Sequence, residues 1–294
     1  MSREENMSKE MSEAPIRRAR SNDGTEVSAR LRGSGPPLVL LPAGPGDCEP
    51  TWRPVLPFLT ERFTCHLLDS RGRGGSQDHP DHTPARMAED IGAYVASVGE
   101  PVGVVEWGSF VGAAWGITAA ADAPEIVAVA TYDPIVIEAA GTEDAARLEG
   151  IFERLGETAA EGRLAEAGRD FVEDMAAHGY YRPVDMAGGA TSGFWDEAAT
   201  NIPMFLQELE QAQQVEGRHP THPEELARTR VPVLVLHGTE SPRTNIEWAR
   251  YVGEHLSDSR VRAVQSAGHY GPQTHPEAVA DELVRVFAEI RQVA

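Results

Sequence analysis

The chain has 294 residues, with 46 Asp and Glu against 26 Lys and Arg, a formal charge of −20. An acid surplus of that size excludes nucleic acid and anionic membrane surfaces as partners, because both are held by clustered Lys and Arg. Two cysteines, Cys48 and Cys65, cannot build a disulfide framework, and no apolar run reaches the ~20 residues of a membrane helix.

Residues 1–22 are polar, without an apolar period and without the apolar stretch of a secretory signal, and are expected to form a disordered tail. A cytoplasmic globular protein is the expectation, with its oligomeric state left open. Thr25 to Leu31 alternates as a strand does, Gly33 to Pro37 is a turn, and Leu38 to Leu41 is a short buried strand. A loop, Pro42-Ala43-Gly44-Pro45-Gly46-Asp47, leads to helical spacing over Trp52 to Leu59. Phe63 to Leu68 is the next strand, Met87 to Val98 a helix and Val102 to Val105 a strand. A small-residue helix follows over Phe110 to Ala121, then a strand over Ile126 to Thr131 closing on Asp133. Val231 to Leu236 and Arg260 to Val264 are further strands, and Pro276 to Arg291 is an amphipathic terminal helix.

Strands alternating with helices predict an α/β fold with a mostly parallel, doubly wound sheet. Residues 135–230 interrupt the alternation. They are helical in pattern, rich in Ala and Glu, and carry Tyr180, Tyr181, Phe194, Trp195 and Phe205. They read as a helical cap inserted between two stretches of core, 23–134 and 231–294, and lying over the carboxyl ends of the strands, where open α/β sheets bind ligands.

From Asp23 to Ile290 the sequence resembles the α/β-hydrolase family, in its proline-iminopeptidase and esterase-like branch. The stretches that carry the likeness are Gly33 to Leu41 leading into Gly44-Pro45-Gly46, Asp69-x-Arg71-Gly72-x-Gly74-x-Ser76, Val231 to Gly238, and Ala267-Gly268-His269 followed by His275-Pro276-Glu277. The resemblance implies a nucleophile on a tight strand-to-helix turn written Gly-x-Ser-x-Gly, a histidine that takes its proton, a carboxylate that orients the histidine, and two backbone N–H groups for the oxyanion. Those N–H groups map to Ala43 and Val111.

The nucleophile turn falls within Val105-Glu106-Trp107-Gly108-Ser109-Phe110-Val111-Gly112. With Gly108 and Gly112 as the flanking small residues, the inert Phe110 takes the nucleophile position. Making Ser109 the nucleophile leaves Trp107 and Val111 at the two crowded sites, and a third register puts Glu106 at the apex. Steric crowding favours Phe110. Where the family carries an aspartate three residues past the strand glycine, this chain has Ser241, so Asp133, Glu240 or no acid at all are the alternatives. His269 matches the family's histidine, and its unperturbed pKa near 6.5 suits a base or a donor.

Other motif-like stretches read as structural. Asp69, Arg71, Gly72 and Ser76 shape their loop, and Asp78 to His82 lacks a second ligand cluster, so no metal is implied. The glycines do not form a dinucleotide fingerprint, so no cofactor is expected, and Cys48 reads as an inert buried thiol. The expectation is an enzyme acting on a small, largely apolar molecule. It works by hydrolysis, or by non-covalent acid/base chemistry of the lyase or cyclase kind if Phe110 holds the apex. The alternatives are a catalytically silent small-molecule-binding protein on the same fold, and an ordinary serine esterase or lactonase using Ser109.

Overall fold

The computed structural model describes residues 14–108, 114–136, 142–182, 185, 189–214 and 218–291. The sheet has eight strands in the order β1-β2-β4-β3-β5-β6-β7-β8. They are β1 (Ile16–Arg20), β2 (Glu26–Gly33), β3 (Pro37–Leu40), β4 (Thr64–Leu68), β5 (Val102–Trp107), β6 (Ile126–Tyr132), β7 (Val233–Gly238) and β8 (Ser259–Val264). Pairing is antiparallel from β1 through β2 to β4 and parallel from there to β8. β3, β5 and β6 are buried almost throughout, as the unbroken runs PLVL, VGVVEW and IVAVATY require of strands covered on both faces.

β1 corrects one expectation, since Ile16–Arg20 falls in the segment assigned to the tail. Its sequence, IRRAR, has no apolar alternation, because an edge strand buries little and leaves charged side chains in water. Residues 1–13 of the expected tail lie outside the described residues.

The helices of the core are α1 (Cys48–Trp52), α2 (Leu56–Leu59), α3 (Pro84–Val98) and α4 (Trp115–Asp122). Between β6 and β7 come α5 (Thr142–Ala160), α6 (Leu164–Ala177), α7 (Gly189–Ala198), α8 (Ile202–Gln213) and α9 (Pro223–Leu226). After β7 come α10 (Arg243–His255), α11 (Gly271–Thr274) and α12 (Pro276–Arg291). α3 shows how sequence sets a boundary: Pro84 begins it and Gly99, at φ 78°, ends it in the left-handed region. In the insert, Leu148, Ile151 and Leu155 of α5 and Ala167, Phe171 and Met175 of α6 are buried at helical spacing, giving each helix one apolar face. No helix among the described residues is long and apolar enough to cross a membrane.

Polar ties fasten the insert to the loop after β3. Asn201 donates to Asp47 at 2.9 Å, and Arg53 pairs with Glu197 at 2.8 Å. The fully buried Arg73 donates to the carbonyls of Gly44 and Gly46 and forms an ion pair with Glu208 of α8, which is also fully buried.

Candidate active site

The carboxyl ends of β5, β6 and β7 and the loop after β8 bring a small set of polar side chains together. Asp133, directly after β6, has φ 46°, the left-handed region that a non-glycine residue enters at a cost. That turn aims its fully buried carboxylate along the ends of the strands, where Oδ2 lies 3.2 Å from Nδ1 of His269.

Two further side chains converge on the same oxygen. Ser241 Oγ donates to it at 2.7 Å, and Asn245 Nδ2 donates at 3.3 Å. Asn245 Nδ2 is also 3.1 Å from His269 Nδ1. With one anionic oxygen facing two nitrogens, charge favours N–H on both, so that Ser241, Asn245 and His269 all donate to Asp133. A lone pair on Nδ1 would instead face the carboxylate at 3.2 Å. An Nδ1–H tautomer of His269 fits this arrangement and turns Nε2 away from Asp133.

Glu240, the other carboxylate weighed for this role, does not reach the histidine. It is largely exposed and pairs with Arg182, because the turn after β7 points it outward while its backbone N–H bonds Ala267. Ser241, at the place where the resemblance implies an aspartate, bonds Asp133 through its hydroxyl. Its Oγ also accepts the N–H of Gly238 at 3.0 Å.

The His269 ring is enclosed by aromatics. Tyr181 stacks on it with centroids 5.2 Å apart and planes 9° apart, Tyr270 stands perpendicular at 5.3 Å, and Trp107 lies at 5.8 Å. Phe171, Phe194, Trp195 and Phe205 add to the wall of a cavity of about 30 Å³, which Ala43, Gly44 and Gly108 also line. A larger open groove of about 530 Å³ lies between α3 and α4 and contains none of these groups.

The loop after β3 supplies backbone donors, and the structure corrects which one is available. The N–H of Ala43, expected to face the oxyanion, is directed at Thr51 Oγ1, 3.3 Å away. The N–H of Gly46 bonds Ala43 O at 2.9 Å, whereas that of Gly44 has no partner among the described residues and Gly44 lines the cavity. Gly44 sits at φ 50°, and Arg73 holds its carbonyl.

At the end of β5, Gly108 donates to Tyr132 O at 2.7 Å. A Cβ on Gly108 would lie 2.2 Å from Asp133 O, against backbone that cannot give way. Ser109, Phe110, Val111 and Gly112 lie outside the described residues. Glu106, the apex of the third register, is a strand residue paired with Thr131, and its carboxylate turns under α4. There Oε2 accepts the N–H of Gly116 at 2.8 Å, and Oε1 has no partner among the described residues.

Burial pushes the Glu106 carboxyl from 4.5 up to about 8, against the pull of the Gly116 and Ile117 N–H groups. The folded chain thus holds a proton that the unfolded chain releases near pH 4.5. The stability from that proton is complete below about pH 4.5 and falls by on the order of 1 kcal/mol per pH unit until pH reaches about 8. Glu106→Gln is expected to flatten this slope and to melt above the parent protein at pH 8. Melting curves of the two proteins that stay parallel from pH 5 to 8.5 would refute it.

A family model described as "Alpha/beta hydrolase family" matches residues 38–282, most of the chain and all of the site above. The chain belongs to the α/β hydrolase family. It is an enzyme of that superfamily, and relatives match along nearly its whole length. The BpoC protein of Mycobacterium tuberculosis, which carries a non-heme bromoperoxidase name, is 28% identical over 275 residues, 88% of this chain and 96% of its own. A soluble epoxide hydrolase of Corynebacterium sp. strain C12 is 41% identical over 83 residues, 27% of this chain and 29% of its own. Among solved structures, an α/β hydrolase from Sphaerobacter thermophilus superposes with a TM-score of 0.69 at 25% identity, covering 92% of this chain and 100% of that one. The enol-lactonase of Burkholderia xenovorans LB400 superposes with a TM-score of 0.72 at 18% identity, covering 92% and 100%, a likeness of fold.

The sequence missed the supporting residues of this α/β hydrolase. Ser241 and Asn245 carry no motif. Their signal was positional, a hydroxyl where the resemblance implies an aspartate and an amide four residues on, in the first turn of α10.

Proposed function

We propose that this α/β hydrolase cleaves an ester, lactone or similar bond in a small, largely apolar molecule, with His269 as general base and Asp133 as the acid that orients it. The bonded Asp133–His269 pair carries this reading: the carboxylate takes three donors and leaves Nε2 free for the cavity. A protein kept only for binding gains nothing from a buried carboxylate strained into the left-handed region beside an imidazole. The apolar wall supports a substrate with few polar groups, and the insert serves as the cap that covers it.

The crowding at Gly108 supports Gly108 and Gly112 as the flanking small residues, with Phe110 between them. Water is then the nucleophile. As its oxygen bonds to the carbonyl carbon, its proton passes to Nε2 of His269, and the carbonyl electrons move onto oxygen beside the N–H of Gly44. Collapse breaks the bond to the leaving alkoxide, which takes the proton back from His269. The same base without water would run an elimination or a cyclisation.

Turnover of p-nitrophenyl butyrate tests the reading. Steady release without a burst, unchanged within about threefold in Ser109→Ala, is the expected result; a burst of nitrophenol abolished by Ser109→Ala would return the protein to the ordinary serine esterases.

A further inference from the structure

Trp107 ends β5 and is 2% exposed, yet its indole N–H has no partner among the described residues. Other buried indoles here are satisfied: Trp52 donates to Leu41 O at 2.7 Å, and Trp195 donates to the hydroxyl of Tyr270 at 3.0 Å. Trp115 shares the lack but lies on the α3 side, beside Met87 and Ile91. Trp107 instead lines the site cavity, with its ring against Phe194, His269 and Tyr270. A buried donor without an acceptor is costly to maintain, and the neighbours that pack on this ring are aromatic.

The described cavity walls contain no carboxylate and no side-chain amide. Two donors are open, the indole N–H of Trp107 and the backbone N–H of Gly44. A ligand that completes such a site brings acceptor oxygen and flat apolar surface, since aromatic walls pack best against a ring. A cavity of about 30 Å³ is smaller than such a ring, so binding it requires the aromatic wall to give way.

We propose that the Trp107 indole N–H is a substrate-binding donor and that the site takes a small aromatic compound whose carbonyl oxygen it binds. This rests on the hydrolytic reading for the fate of the ligand, but binding itself can be measured without turnover.

The test uses a matched pair of probes, acetophenone and α-methylstyrene, which share a shape and differ by one acceptor oxygen. The full-length protein is expected to bind acetophenone about tenfold more tightly than α-methylstyrene, and Trp107→Phe is expected to erase the difference while keeping the affinity for the hydrocarbon. In the wild-type protein, the indole N–H resonance that Trp107→Phe removes should move downfield with acetophenone and not with α-methylstyrene. That measurement is made on the wild-type protein, and the variant serves only to assign the resonance. Equal affinities in the wild-type protein, a resonance indifferent to both probes, or no saturable binding of either would overturn the proposal. Ester turnover measured in parallel separates the two readings: preference for the ketone without turnover sustains this site and sinks the hydrolytic one, and turnover without that preference does the reverse.

Discussion

His269→Ala is expected to lower kcat/KM for p-nitrophenyl butyrate by on the order of 10³, the usual worth of a positioned general base. The melting temperature should stay near that of the parent, because the ring is packed by neighbours that hold one another. Tyr181 stands edge-on to Tyr270 with centroids 5.1 Å apart, and Trp195 donates to Tyr270. Asp133→Asn should cost on the order of 10² by a different route. An amide at that position offers donors where Ser241 and Asn245 also donate, so Nδ1 of His269 loses its acceptor and the proton is no longer fixed there. The pairing also makes the acid transferable. Ser241 stands three residues past Gly238 with its Oγ on Asp133, so adding Ser241→Asp to Asp133→Asn is expected to restore part of the loss. Initial rates for the two single variants and the double variant decide it. A double variant no faster than Asp133→Asn would deny that the two positions share one role, and a His269→Ala rate within tenfold of the parent would remove the histidine from the chemistry.

Glu208→Gln is expected to destabilise the fold by about 3–5 kcal/mol, seen as a melting temperature lower by on the order of 10 °C. The magnitude comes from what is left behind. Arg73 is fully buried, and without the negative charge of Glu208 its own charge is left, among the described residues, with neutral oxygens, those of Gly44 and Gly46 and the new amide. Burial also pushes the Glu208 carboxyl up, opposed by the Arg73 charge, so each ion depends on the other. Replacing both, as in Arg73→Met with Glu208→Leu, is expected to recover most of the stability, because the pair is buried and apolar groups of similar volume need no partner. The double variant should still turn over ester more slowly than the parent, since the loop at Gly44 and Gly46 loses the side chain that holds its carbonyls. Denaturant melts and ester rates on the parent, Glu208→Gln and the double variant check both halves. A double variant no more stable than Glu208→Gln would show that the two side chains do not depend on each other.

How far each of these features could be read from the chain depends on how local its cause is. The buried strands announced themselves as short apolar runs, and His269 by the Gly268-His269 pair following the last strand. β1 did not, because an edge strand with two charged flanks has no apolar period to detect. α10 was equally quiet: its buried face, Trp248, Ala249 and Val252, is thin and sits among charged residues. At the site, Asp133 could be named as a strand-end carboxylate, but its advantage over Glu240 lies in a backbone turn at φ 46° and in two donors that arrive from beyond β7. The exchange of Ala43 for Gly44 as the open N–H turns on a single side chain, Thr51, eight residues along the chain from Ala43. None of these contacts leaves a periodic trace in sequence.

The five tryptophans divide by location into an optical signal and its background. Trp52, Trp115 and Trp248 are buried away from the cavity, whereas Trp107 and Trp195 form part of its wall. An occupant there meets two indoles at contact distance, and the other three keep a constant emission. The unlabelled protein thus carries its own fluorescent gauge of occupancy, one that a nitroaromatic ligand would quench on arrival.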